Sequence, residues 1–123
     1  MDYKSKIIGF GDIALDFLSE KMLILFNEDA PLELAELSVL HEKKELDSEI
    51  KVGDFMSLGD NDYVVTAVGA EANDTFKMLG HCCLVFGGKD EVELPGQVQL
   101  KGEKLPELKH GDYIQIKFLG GHK

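Results

Sequence analysis

At 123 residues with a 44% hydrophobic fraction, the chain has the length of one domain, residues 1–123, and enough apolar material for a core without disulfides or metal. Its 13 basic and 23 acidic side chains leave a formal charge of −10, which argues against a nucleic-acid footprint and suits either a basic protein partner or plain solubility. The longest uninterrupted apolar run, Met22 to Phe26, falls far short of the roughly 20 residues that cross a bilayer, and Met1-Asp2-Tyr3-Lys4-Ser5-Lys6 opens no secretory signal, so a cytoplasmic protein without membrane insertion is expected.

In chain order, a first strand is expected over 6–10. Asp12 is placed to cap a helix over 13–19, where Ile13 with Phe17 and Ala14 with Leu18 fall at i,i+4 spacing. A strand over 22–27 follows, then a short helix within 29–37 started by Asp29-Ala30-Pro31, although its Leu-Glu-Leu alternation leaves strand open. Strands are expected over 39–41, 55–58 and 63–68, the last two joined by the turn Gly59-Asp60-Asn61. A helix over 70–79 closes on Gly80, a good left-handed cap, with Lys77 favourably placed in its last turn. Strands over 81–86, 97–101 and 113–119 complete the chain, and Gly87-Gly88-Lys89-Asp90 reads as a hairpin turn. Lys51-Val52-Gly53-Asp54-Phe55 is echoed by Lys109-His110-Gly111-Asp112-Tyr113; in both, a Gly-Asp turn feeds an aromatic residue at a strand start. Many short strands with repeated corners point to a mostly β fold, a small closed or partly open β-barrel with a few short helices.

Few groups are suited to covalent chemistry. Of four histidines, His122 lies next to the C-terminus and His110 in a solvated turn. His41 and His81 border strands, and His41 ends the apolar run Leu37-Ser38-Val39-Leu40 just before Glu42-Lys43-Lys44-Glu45. That position suggests an imidazole fixed from below and reachable from solvent. The adjacent Cys82 and Cys83 suit a reducing compartment and read as small core side chains. A nucleophilic pair of Cys83 with His41 would need an oxyanion hole that the sequence does not offer. No metal-ligand spacing and no phosphate loop occur, so neither metal nor cofactor is expected. Glu33 and Glu36 are expected to face water.

Three segments carry more: Val64-Val65-Thr66-Ala67-Val68-Gly69-Ala70-Glu71-Ala72-Asn73-Asp74, then Leu79-Gly80-His81, then Glu93-Leu94-Pro95-Gly96. Together they resemble the glucitol/sorbitol-specific IIA component of the bacterial phosphoenolpyruvate-dependent sugar phosphotransferase system. The resemblance spans nearly the whole chain. It implies a phosphotransferase component with a phosphohistidine intermediate, which accepts phosphoryl from the histidine-containing phosphocarrier protein and passes it to the IIB domain for sugar uptake through the IIB/IIC membrane components. The family's phosphorylated histidine follows an apolar pair early in the chain, which matches Val39-Leu40-His41. Some members have a second histidine two residues later; this chain has Lys43 there, which leaves His41 better defined. The family also has Leu-Gly-His at the position of His81, implying an orienting or phosphate-contacting group. Lys43 and Lys44 are further candidates for phosphate oxygens, against the ordinary reading of solvated lysines. The competing expectation is a non-catalytic β-barrel binding or adaptor module with His41 a passive surface residue; a metal-dependent enzyme comes third.

Overall fold

The computed structural model describes residues 2–119, so Met1 and His122 lie outside it. Eight strands form one closed barrel: β1 (Asp2–Phe10), β2 (Met22–Asn27), β3 (Val39–His41), β4 (Phe55–Leu58), β5 (Asn61–Val68), β6 (Cys82–Val85), β7 (Gln97–Lys101) and β8 (Tyr113–Lys117). Around the ring the order is β1, β3, β2, β6, β7, β5, β4, β8, with β8 pairing back onto β1. Inward positions alternate along each strand, as in Tyr3-Ser5-Ile7 of β1, Ile114 and Ile116 of β8, and Tyr63 and Val65 of β5. These side chains make the core.

The echo between the two Gly-Asp turns extends to the whole chain. Lys51 N–H donates to Asp54 Oδ2 at 2.7 Å, and Lys109 N–H donates to Asp112 Oδ2 at 2.8 Å. Gly53 (φ 96°) donates to Val65 O and Gly111 (φ 93°) to Ile7 O, both at 2.9 Å. In return Val65 N–H reaches Asp54 O and Ile7 N–H reaches Asp112 O, at 2.8 and 2.7 Å. Ile7 and Val65 are therefore equivalent, and so are β1 and β5, β2 and β6, β3 and β7, β4 and β8. A register shift falls just beyond the equivalent residues in both copies, between Ile7 and Gly9 and between Val65 and Ala67. The ring order read from β5 backwards repeats the order read from β1 forwards, as a twofold axis through the barrel requires.

Several expected details change. The first helix is a 3₁₀ segment, Ala14–Glu20, with Ile13 and not Asp12 in the capping position and no side-chain cap bond. Gly11 O accepts the Ala14 N–H, an i→i+3 bond that tightens the turn from its start. α1 is one turn, Leu32–Ala35, begun by Pro31. α2 spans Ala72–Leu79 and ends on Gly80 in the left-handed conformation, as expected. Gly87-Gly88-Lys89-Asp90 is not a hairpin: β6 and β7 run parallel, so the segment opens a crossover connection. Glu33, Glu36 and His110 are exposed.

Candidate functional site

His41 is the last residue of β3, which lies between β1 and β2. Strand alternation places it on the same face as Val39, and that face is the barrel interior. Its ring is 0% exposed, so the expected solvent-facing imidazole is replaced by a buried one. The sequence misled here because the charged run after His41 marks the end of the strand, whereas the face is set by the alternation before it. Its pairing with Ile7 matches that of Leu100 with Val65, so a histidine stands where the second half has a buried leucine.

Both ring nitrogens are engaged. Nε2 lies 2.8 Å from Gly80 O; Nδ1 lies 2.9 Å from Ser5 Oγ and 3.0 Å from Glu42 O, and Ser5 Oγ also bonds Glu42 O at 2.8 Å. Phe76 stacks on the ring at 5.9 Å between centroids, and Tyr3 packs on Phe76 at 5.3 Å. Burial lowers the His41 pKa from its ordinary value, while the Gly80 and Glu42 carbonyls and the Glu28 charge work to raise it. Two carbonyl acceptors and one carboxylate charge favour an imidazolium; desolvation opposes it and is the larger effect. In the neutral ring that results Nε2–H donates to Gly80 O and Nδ1 accepts the Ser5 hydroxyl, which is then turned away from Glu42 O.

Gly80 must be glycine because of this ring. A Cβ there would sit 2.8 Å from His41 Cε1, 2.9 Å from Nε2 and 3.0 Å from the Asn27 Cβ. Backbone conformation alone does not demand it: Lys21, which closes the 3₁₀ segment at the equivalent place, is left-handed too, with φ 61° against 62°.

Over the ring lies a small depression of about 60 Å³, lined by Tyr3, Asn27, Lys43, Lys44, Lys77, Met78 and Gly80 as well as His41. Lys43 is tied down, with Nζ 2.7 Å from Asp29 Oδ2 and its N–H donating to Glu28 Oε2 at 3.0 Å. Lys44 and Lys77 have no ion-pair partner among the described residues. Met78 stands 76% exposed beside them. The rim is thus cationic on a protein whose net charge is −10.

His81 follows Gly80 but does not reach His41; no hydrogen bond or ring contact joins the two among the described residues. Its Nδ1–H donates to Leu25 O at 2.9 Å and its half-buried ring stacks on Phe26 at 4.8 Å. Its backbone is held twice by Thr75: His81 N–H to Thr75 O, and Thr75 Oγ1–H to His81 O at 2.7 Å. Cys82 is wholly buried, which pushes its thiol up, and neither cysteine bonds His41. Among the described residues no group of three or more His, Cys, Asp or Glu is placed to hold a metal ion. No helix among the described residues is long and apolar enough to cross a membrane.

Sequence reasoning missed Ser5, Tyr3, Asn27 and Phe76. The signal for the first two was present: Tyr3, Ser5 and Ile7 alternate, but the lysines between them disguise the start of β1.

A sequence model of the family described as "PTS system glucitol/sorbitol-specific IIA component" matches residues 2–115. The glucitol/sorbitol-specific EIIA component of Escherichia coli (strain K12) is 38% identical over 115 residues, 94% of each chain, and that of Shigella flexneri matches to the same extent. The crystal structure of a PTS system IIA component from Enterococcus faecalis V583 superposes with a TM-score of 0.80 at 28% identity, covering 95% of this chain and 99% of that one.

Proposed function

Because the chain belongs to the glucitol/sorbitol-specific IIA component family of the sugar phosphotransferase system, a family of phosphoryl carriers, we propose that His41 bears the phosphoryl group and that Nε2 is the nitrogen that takes it. The observation that carries this reading is the position of His41 at the floor of a lysine-rimmed depression, with Nε2 directed at the carbonyl of the left-handed Gly80. Nδ1 is enclosed by Ser5 and the neighbouring Glu42 backbone, so it offers no line of approach.

In the closed arrangement Nε2 carries the proton and is no nucleophile. Displacing the Gly80 carbonyl removes its acceptor; the proton then belongs on Nδ1, where Ser5 Oγ and Glu42 O both accept it. Ser5 serves either tautomer, because its hydroxyl donates to Nδ1 in one and to Glu42 O in the other. The exposed Nε2 lone pair forms its N–P bond in line as the N–P bond of the donor's phosphohistidine breaks, and the Nδ1 proton stays in place. Charge in such a loose transition state spreads over the phosphoryl oxygens, and in this reading Lys44 and Lys77, which line the depression, receive it. The same steps in reverse pass the group to the IIB acceptor.

The donor in this proposal is the histidine-containing phosphocarrier protein, the acceptor is the IIB domain with its IIC membrane partner, the carried sugar is glucitol, and the carrier is a single cytoplasmic domain. His81 acts as a positioning residue: its ring, pinned on β2, anchors the peptide that follows Gly80. The test is to incubate the protein with phosphoenolpyruvate and the general upstream proteins and map acid-labile phosphate. Label is expected in wild type and His81→Ala and absent in His41→Ala; label that persists in His41→Ala refutes the assignment.

A further inference from the structure

The outer face of β7 carries two glutamines that the phosphoryl relay does not use. Gln97 is 7% and Gln99 2% exposed, because the crossover between β6 and β7 folds back over them. Gln97 Oε1 accepts the N–H groups of Glu93 and Leu94 at 3.0 and 3.2 Å, and Gln99 Oε1 accepts that of Lys89 at 3.2 Å. These backbone donors fix which end of each amide is oxygen. Both NH2 groups are left over, and neither has a protein acceptor among the described residues. Buried donors of this kind are satisfied by something other than the chain.

Both glutamines line a cavity of about 360 Å³, within the roughly 300–1,000 Å³ usual for small-molecule sites. Met22 and Val85, cross-strand partners, give it an apolar wall. Lys21, Lys89, Glu20 and Glu93 also line it. The depression over His41 shares no lining residue with it.

We propose that this cavity is a second site, which binds a polyhydroxylated chain of hexitol size, free or as its phosphate monoester. A hydroxyl both accepts and donates, so it is suited to amide NH2 groups and carboxylates on the same wall, while the C–H faces of a polyol pack on Met22 and Val85. The lysines are available to a phosphate if one is present. Choosing a hexitol rests on the family to which the chain belongs; the cavity itself does not depend on His41.

The test uses the ¹⁵N-labelled full chain, titrated separately with glucitol, glucitol phosphate and inorganic phosphate. The chain has three glutamines, and Gln115 on β8 lies outside the cavity, so its side-chain signal is an internal control. Saturable shifts of the Gln97 and Gln99 NH2 signals are expected with one or both polyols, with Gln115 unmoved. The responding ligand identifies the free or the phosphorylated form. Gln97→Glu and Gln99→Glu retain an oxygen for the loop N–H groups and delete the donors; each is expected to weaken binding about tenfold or more while phosphorylation of His41 proceeds at the wild-type rate. Gln97 and Gln99 signals that do not move, shifts reproduced by inorganic phosphate alone, or binding unchanged in both variants would overturn the proposal. Because phosphorylation is read in a separate assay, failure here leaves the assignment of His41 standing.

Discussion

Replacing Gly80 with alanine separates two reasons for a glycine at the end of α2. The first is conformational: φ is 62°, and a side chain in the left-handed region costs about 1–2 kcal/mol. The second is steric: the new Cβ would lie 2.8 Å from His41 Cε1 and 2.9 Å from Nε2, against a ring that is wholly buried and backed by Phe76. Overpacking of this kind adds about 1–3 kcal/mol. Gly80→Ala is therefore expected to destabilise by about 2–5 kcal/mol. Gly111→Ala is the control: no atom lies within 4 Å of its Cβ position, so only a conformational cost applies, at least about 1–2 kcal/mol because φ is 93°, beyond the left-handed basin. Urea unfolding of both variants, read alongside the rate of His41 phosphorylation, gives the comparison. The clash also displaces the carbonyl that holds Nε2, so Gly80→Ala should change the phosphorylation rate and Gly111→Ala should leave it alone. Equal losses of stability, with both variants phosphorylated like wild type, would show that Gly80 does not govern the ring.

Ser5→Ala removes the hydroxyl from both Nδ1 and Glu42 O in a fully buried setting, which should cost about 1–3 kcal/mol in denaturant unfolding; the same variant should slow phosphorylation, and an unchanged rate would argue against tautomer control by Ser5. The depressed His41 pKa predicts that folding is most stable above 6.5, the ordinary histidine value, and loses stability as pH falls below it towards the folded-state pKa, because the unfolded chain binds the proton first. Comparing unfolding free energies at pH 7.5 and 5.5 should show a smaller drop in His41→Gln than in wild type; equal drops would place the titrating group elsewhere. Asp54→Ala and Asp112→Ala each remove a turn bond to a backbone N–H and should each cost about 0.5–2 kcal/mol, as lost caps do, with the larger loss at the wholly buried Asp54. Indistinguishable values for the two would mean that burial does not matter at this corner.

The strands were legible because their cues are local. The bounds of β2, β3, β4 and β7 are those expected from the sequence, and the paired Gly-Asp turns announced a repeated corner. Parallel pairing of β6 with β7 was not legible, since Gly87-Gly88 offers the same local chemistry to a hairpin and to a crossover. The site divided in the same way. His41 stood out by its neighbours in sequence, whereas Ser5, Asn27, Phe76 and Gly80 meet it only through barrel closure and the docking of α2. His81 was expected beside the His41 ring, but it faces Leu25 and Phe26. The burial of His41 is the main departure, and for the proposed role it turns a question of surface access into one of whether the Gly80 carbonyl moves aside.

The most direct measurement is a nitrogen–phosphorus NMR correlation on the ¹⁵N-histidine protein phosphorylated by the upstream proteins. Phosphorus coupled to Nε2 of His41, with a proton held on Nδ1 and the Gly80 signal shifted, is the expected result. Coupling to a nitrogen of His81, or to Nδ1 of His41, would contradict the account.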